Sequence, residues 1–441
     1  MLFSSIQFLY VFLPLVLLGC GLVSLTGRFR VRNGLLLFAS LLFYFLGEPR
    51  LGYLLPLEAL FGYGVGLLLT RSKHRRALVW LACMVYVAVL VYYKSQTVLP
   101  LGISFFTFQL VSYLIDVYKE EVSPQRNVVS FLLYVSFFPQ LIAGPIVRYQ
   151  ELEEQITKNR MSLPLIYEGM TRFIIGLSKK VLLANQMGEL IEHYRGAGER
   201  TILFGWIYAL AYLFQIYFDF SGYSDMAIGL GKMVGFYLPE NFRYPYLSAS
   251  VTEFWRKWHM TLGQWFRDYV YIPLGGNRCS IVKQIRNVAI VWALTGLWHG
   301  LAVNFLLWGL YFAVFLLLEK FVLKEFLEKH RIFAHLYVLF LVTISFVIFN
   351  GTGIGGVLAD LGLLFGAGGA AFCGPMTLYY AGSYLILLLI CAVAATPYPA
   401  GLMRKAEDKP LLKTIGLLGL LWLCTSYLVD GSFNPFLYFR F

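Results

Sequence analysis

Apolar blocks recur along the whole 441-residue chain and are separated by short polar or basic loops. Most blocks hold roughly 17–22 residues, the length that a helix needs to cross about 30 Å of hydrocarbon. Because backbone groups in lipid must find their hydrogen bonds within the segment, such blocks form helices. The pattern predicts an all-α polytopic membrane protein with roughly 11 transmembrane helices. It leaves no polar stretch long enough for a soluble domain, so we expect one integral-membrane domain over residues 1–441.

The apolar stretch at residues 128–147 differs from the others because Pro139, Gly144 and Pro145 interrupt it. Proline removes a backbone donor and bends or ends a helix. In lipid, the freed backbone groups are tolerated only where protein or a water-filled cavity surrounds them. We therefore expect re-entrant or tilted helices here, lining a central cavity or funnel.

Composition agrees with a membrane protein, since 59% of the residues are hydrophobic, 14% are charged and the mean hydropathy is +0.68. A formal charge of +12 would suggest a nucleic-acid partner in a soluble protein, but here the basic residues lie in short loops between apolar blocks. Such loops face the cytoplasm. We therefore place loops 26–32 and 71–76 on that side, and we expect contact with membrane lipid and none with nucleic acid.

The longest polar stretch, residues 240–286, is also predicted to be cytoplasmic. Spacings of three and four put Trp255, Trp258 and Leu262 on one face of a helix, with His259 at its edge. Tryptophans interleaved with charges are typical of an amphipathic helix at the membrane interface. This stretch therefore predicts an interfacial helix.

His299 lies inside an otherwise apolar run, and both it and His259 directly follow a tryptophan. An ionisable group in hydrocarbon is costly, so it generally faces a cavity and has a function. Neutral imidazole can also accept and return a proton near pH 7. Gly296 and Gly300 bracket His299 and favour a hairpin or kink deep in the membrane. On chemistry alone, a hydrogen-bonded core histidine explains the residue equally well.

Several motifs, taken in order, resemble the signature of the membrane-bound O-acyltransferase family, with a motif core at about residues 217–308. The motifs are PLGISFFTF (100–108), QLIAGPI (140–146), YFDFSGYSD (217–225), WRKWHMTL (255–262), YIPLGGN (271–277), GLWHG (296–300) and NPF (434–436). The resemblance is closer to the bacterial branch that contains the alginate O-acetylation membrane subunit and the membrane protein of teichoic-acid D-alanylation.

The resemblance implies that His299 is catalytic and that His259 is a second functional position. An acyl group, expected to be acetyl, would pass from a cytosolic thioester to an extracytoplasmic cell-surface polysaccharide such as alginate. The implied donor is acetyl-coenzyme A or an acyl-phosphopantetheinyl carrier protein, with no tightly bound cofactor and no metal. An extracytoplasmic acyltransferase partner would complete the transfer, and the implied location is the bacterial inner or plasma membrane.

Further candidate substrate contacts adjoin the two histidines. Asn304 could hydrogen-bond an oxyanion or orient the substrate, and Trp258 and Trp298 flank the histidines themselves. Three basic residues would attract a phosphate-bearing donor, although lipid phosphate or membrane topology explains them at least equally well. These residues are Arg256, Lys257 and Arg278.

Other interpretations stay open at this point. D-alanyl transfer to teichoic acid is the alternative within the family, and a transporter or channel is the alternative outside it. A transporter should show repeated halves or charges on several helices. Asp219 and Asp225 lie in a serine- and glycine-rich stretch that predicts a helix break. They could bind a metal or orient a histidine, but hydrogen-bonding the broken helix is as plausible.

Overall fold

The structure is a computed structural model that describes residues 1–158 and 160–430. Helices joined by short turns make up these residues, and no β-strand occurs in the described ranges. The closing NPF motif at 434–436 lies outside them. The all-α prediction is therefore confirmed.

The chain divides into two compact units. The first unit holds Met1–Leu177 and Tyr223–Glu240, and the second holds Ser178–Gly222 and the described part of Asn241–Pro435. The expectation of a single domain over residues 1–441 concerns independent folding and stays a prediction. Helix α11, defined below, supplies residues to both units.

The first unit is built from nine helices among its described residues, together with the last part of α11. The nine are α1 (Leu13–Leu25, extended at its start by a π-helical turn Phe8–Phe12), α2 (Phe29–Gly47), α3 (Leu54–Leu69), α4 (Arg75–Lys94), α5 (Ile103–Tyr118), α6 (Val128–Ser136), α7 (Phe138–Leu141), α8 (Tyr149–Lys158) and α9 (Leu163–Ser178).

Near its start the second unit has a π-helical turn at Lys179–Ala184. Its described helices are α10 (Asn185–Gly196), α11 (Ile202–Met233), α12 (Val251–Lys257), α13 (Met260–Phe266), α14 (Ile281–His299), α15 (Val303–Leu318), α16 (Lys324–Lys329), α17 (Arg331–Asn350), α18 (Gly353–Leu364), α19 (Pro375–Ala394), α20 (Tyr398–Lys405) and α21 (Pro410–Val429).

Eight helices among the described residues are long and apolar enough to cross a membrane. They are Phe8–Leu25, Phe29–Gly47, Arg75–Lys94, Ile202–Met233, Val303–Lys329, Arg331–Asn350, Pro375–Ala394 and Pro410–Val429. Three further apolar helices, α3, α5 and α18, are shorter. The polytopic membrane class is confirmed, whereas the expected number of about 11 spans is not.

The stretch at residues 128–147 is broken as its prolines predicted. Helix α6 ends at Ser136, and the single turn α7 carries Pro139 near its start. Both pieces are largely buried, and the Phe138 ring lies 5.8 Å from Phe43 and 5.6 Å from Phe12. Aromatic packing of this kind holds the irregular segment inside the first unit.

The local prediction for the stretch around Asp219 and Asp225 was wrong. The break expected around Asp219 and Asp225 is absent, because α11 runs unbroken for 32 residues. Asp219 forms an ion pair of 2.6 Å with Lys180, and Asp225 forms one of 2.8 Å with Arg172, so neither carboxylate is left to cap a broken helix.

Candidate active site

His299 is the last residue of α14, at the turn of a helical hairpin. Only three residues separate it from Val303, where α15 begins. The two helices approach closely because Gly296 faces the backbone carbonyl of Phe305 and Gly309 faces that of Trp292, leaving no room for a Cβ at either glycine. The hairpin that the glycines predicted is therefore present.

Aromatic rings surround the His299 imidazole, and its side chain is only 5% exposed. The rings of Trp308 and Phe349 meet it edge to face, with centroids at 5.1 and 5.2 Å, and the neighbouring Trp298 ring lies at 4.9 Å. A base in such a site works with little competition from water. At the next residue, Gly300, a Cβ would lie 2.5 Å from the Phe305 ring, so a larger residue there would force that ring to move.

Asn304 helps to hold this ring cage together. Its Nδ2 donates to the backbone carbonyl of Phe349 over 2.8 Å, which ties the start of α15 to the end of α17. Asn304 is thus adjacent to the cage, but one of its two amide hydrogens is donated to the protein's own backbone. The suggestion that this side chain contacts substrate stays a prediction.

The segment that carries His259 is not the single amphipathic helix that we expected. Helix α12 ends at Lys257, and α13 begins at Met260. Between them His259 adopts a left-handed backbone conformation, with φ of 44° and ψ of 53°, which is unfavourable for a residue with a side chain. The kink moves His259 from the edge of a helix to a buried position, where it is 2% exposed.

Asn241 holds His259 in place. Its Oδ1 accepts from Thr261 N at 3.3 Å and from Thr261 Oγ1 at 3.0 Å, and it lies 3.1 Å from His259 Nδ1. Since Oδ1 can only accept, Nδ1 of a neutral His259 carries the hydrogen and Nε2 carries the lone pair. The Phe220 ring packs edge to face against the imidazole at 4.6 Å.

Burial lowers the pKa of His259 to about 3. The residue is therefore a neutral imidazole at physiological pH, able to accept a hydrogen bond or a proton but not to attract an anion by charge. An unfolded histidine has a pKa of about 6.5, so between these values the unfolded chain binds one proton more than the folded chain does at this site.

We expect acid to destabilise the fold through His259. As pH falls from about 6.5 toward 4, its contribution lowers the free energy of unfolding by up to about 1.4 kcal/mol per pH unit. Unfolding of the detergent-solubilised protein, followed at several pH values, measures this slope. His259→Gln should flatten it, whereas His330→Gln, which changes an exposed histidine, should leave it unchanged. Equal slopes in the wild type and His259→Gln would contradict the assignment.

Trp298 links the two histidines. Its ring centroid lies 4.9 Å from that of His299 and 6.0 Å from that of His259. The kink at His259 and the hairpin turn at His299 thus bring residues 40 positions apart next to the same indole. The structure therefore places both predicted catalytic residues and the predicted contact Trp298 together.

Trp258 occupies a different environment from Trp298. Its ring stacks on Phe254 at 5.5 Å and packs edge to face on Phe242 at 5.1 Å, within an aromatic core that includes Tyr217 and Phe346. These contacts anchor the C-terminal end of α12. Packing therefore explains why a tryptophan precedes His259. A role of Trp258 in substrate binding stays a prediction.

The three basic candidates lie outside the ring cage. Arg256 and Arg278 are exposed, whereas Lys257 is half-buried and pairs with Glu253 at 2.7 Å. Helix α12, which carries Arg256, is capped by a distant carboxylate: Glu319 accepts from Val251 N at 2.6 Å and from Thr252 N at 3.0 Å. The two exposed arginines remain the better candidates for an anionic donor.

Four residues of this site were not singled out by the sequence: Asn241, Phe220, Trp308 and Phe349. Asn241 precedes His259 by 18 positions, and helix α12 lies between them without containing either residue, so no spacing rule could join the two. Trp308 could have been predicted from helical spacing, because it lies one turn after the candidate Asn304 on α15.

A model of the membrane-bound O-acyltransferase family matches residues 75–355, which include α12, α13 and the whole histidine hairpin. The chain belongs to this family. The match contains both His259 and His299, and it extends from α4 in the first unit to α18 in the second.

Curated bacterial relatives support the assignment over most of the chain. The probable alginate O-acetylase of Pseudomonas fluorescens is 42% identical over 332 residues, covering 73% of this chain and 66% of the relative. The peptidoglycan O-acetyltransferase of Helicobacter pylori is 32% identical, covering 85% and 81%. The teichoic acid D-alanyltransferase of Bacillus subtilis is 30% identical, covering 57% and 68%. The chain thus spans just under two thirds of the first relative's length.

Proposed function

We propose that the protein is a membrane O-acyltransferase that transfers an acetyl group for O-acylation of an extracytoplasmic cell-surface polysaccharide. The observation that carries this proposal is the placement of His299 at the turn of the α14–α15 hairpin, inside a cage of aromatic rings and next to the indole that also contacts His259. Family membership supplies the reaction class.

In the proposed reaction His299 acts as general base. A hydroxyl oxygen of the acceptor attacks the thioester carbonyl, a C–O bond forms, and the hydroxyl proton passes to the imidazole. The C–S bond then breaks, and the proton returns to the leaving thiolate. The Trp308 and Phe349 rings exclude water that would otherwise hydrolyse the thioester.

We propose acetyl-coenzyme A or an acyl-phosphopantetheinyl carrier protein as the donor, without a resident cofactor. Either molecule carries phosphate, and the exposed guanidinium groups of Arg256 and Arg278 offer bidentate partners for it. A neutral His259 would orient the donor as a hydrogen-bond acceptor through Nε2. An extracytoplasmic acyltransferase would complete delivery to the polymer.

D-alanyl transfer to teichoic acid is the second candidate, because one relative is named for that activity. That relative is 30% identical over 57% of this chain, whereas the acetylase of P. fluorescens is 42% identical over 73%. The acetyl interpretation is favoured by this difference in both identity and coverage.

The experiment compares cells that express the chain with cells that lack it. Acetyl ester and D-alanyl ester on the isolated cell-envelope polymers are measured separately, with membrane protein amounts matched by immunoblot. Acetyl ester that depends on the chain supports the proposal, and D-alanyl ester that depends on it supports the second candidate. If neither ester responds while the protein is present in the membrane, the proposal is wrong.

A further inference from the structure

The first unit contains a basic cavity that the proposed reaction does not use. Its volume is about 350 Å³, and seven of the residues that the structure describes line it. They are Ser24, Gly27, Arg28, Phe29, Arg32, Arg160 and Met161. Three of the seven are arginines and none is acidic.

The walls of this cavity are fixed by contacts between distant parts of the sequence. Ser24 Oγ donates to Met161 Sδ over 3.5 Å, which joins the end of α1 to the segment before α9. One turn into α2, Asn33 Nδ2 donates to the backbone carbonyl of Ile156 over 2.7 Å. These bonds hold the loop between α1 and α2 against residues 160 and 161, so the arginines converge in a preformed site.

Arg32 forms a buried wall of the cavity. It is only 2% exposed, although it carries a permanent charge. Its guanidinium lies 5.3 Å above the Phe29 ring, which orients the group and limits its rotation. Arg28 and Arg160 are exposed and stand at the opening. Three positive charges around one small cavity attract an anion to the space between them.

The cavity lies at the level of a membrane surface. Helices α1 and α2 are adjacent membrane-spanning candidates joined by a short loop, so their junction is at one membrane surface. Phospholipid phosphates occupy that level, and soluble phosphate esters reach it from water. Arginine binds phosphate through two parallel hydrogen bonds, and three arginines line this cavity.

We propose that this cavity is a phosphate-binding site, formed by Arg28, Arg32 and Arg160 and separate from the histidine site. The phosphate belongs either to a phospholipid headgroup or to a soluble phosphate ester. Both sources present the same group, a tetrahedral anion with several acceptor oxygens, and the test distinguishes them.

The test uses the purified full-length protein and two probes. Native mass spectrometry from detergent measures retention of phosphatidylglycerol, and equilibrium dialysis measures binding of adenosine 3′,5′-bisphosphate. The test variant is Arg28→Gln with Arg160→Gln, which spares the buried Arg32. The matched control is Arg30→Gln with Arg71→Gln, which removes two exposed charges, one at the start of α2 and one after α3, without changing the cavity lining.

We expect at least one probe to bind the wild type and to bind the test variant at least about tenfold more weakly, with the control within about twofold of the wild type. Loss of lipid retention alone identifies a headgroup site, and loss of nucleotide binding alone identifies a site for a soluble ester. Equal weakening in test and control variants, or no binding of either probe to the wild type, overturns the proposal.

Discussion

Replacing His299 by glutamine should lower acyl transfer about 100-fold or more, because general acid–base catalysis contributes on the order of 10²–10⁴ in rate. Glutamine preserves a polar side chain of similar reach within the cage of Trp308 and Phe349 rings. It cannot accept a proton from an attacking hydroxyl at neutral pH. Acyl ester formed per unit of membrane protein measures the effect.

The matched control is His330→Gln, which changes an exposed histidine at the end of α16. This variant should retain wild-type ester levels. Size-exclusion chromatography of detergent extracts verifies that all variants are folded. A folded His299→Gln protein with normal activity would assign His299 a structural role and remove the main support for the proposed mechanism.

The hairpin around His299 could be predicted from the sequence, because the glycines that indicate it lie beside the histidine. Gly296 lacks the Cβ that close helix contact would exclude, Gly300 lies in the turn, and the two flank the histidine at spacings of three and one. Long apolar runs likewise predicted the membrane class. In both cases the determining residues lie within one segment.

The kink at His259 could not be predicted in this way. The spacing of Trp255, Trp258 and Leu262 is typical of one continuous helix. The structure breaks the helix because the Asn241 amide, 18 positions upstream, and the Phe220 ring on α11 hold His259 in its strained conformation. A tertiary interaction of this kind overrides local spacing.

The continuity of α11 has the same explanation. A serine- and glycine-rich stretch with two carboxylates indicates a break when it is considered alone. Asp219 and Asp225 remain within the helix because Lys180 and Arg172, respectively, neutralise them. These partners lie 39 and 53 positions away in the sequence, so only the fold identifies them.

Replacing Gly296 by alanine should prevent the α14–α15 hairpin from closing. The added Cβ would overlap the backbone carbonyl of Phe305, and a backbone atom cannot rotate away as the end of a flexible side chain can. Overpacking costs about 1–3 kcal/mol where side chains can shift, so we expect at least about 3 kcal/mol here. Thermal unfolding in detergent and the amount of folded protein in membranes measure the loss.

Gly382→Ala is the control for this prediction, because a Cβ at Gly382 in α19 would meet no atom within 4 Å. That substitution should leave stability unchanged or raise it by up to about 1 kcal/mol, as alanine is the better helix former. Transfer activity should fall with the folded fraction in Gly296→Ala, since the turn that holds His299 depends on the helix contact. If Gly296→Ala were as stable as Gly382→Ala, close approach of the two helices would not be what holds His299 in its aromatic cage.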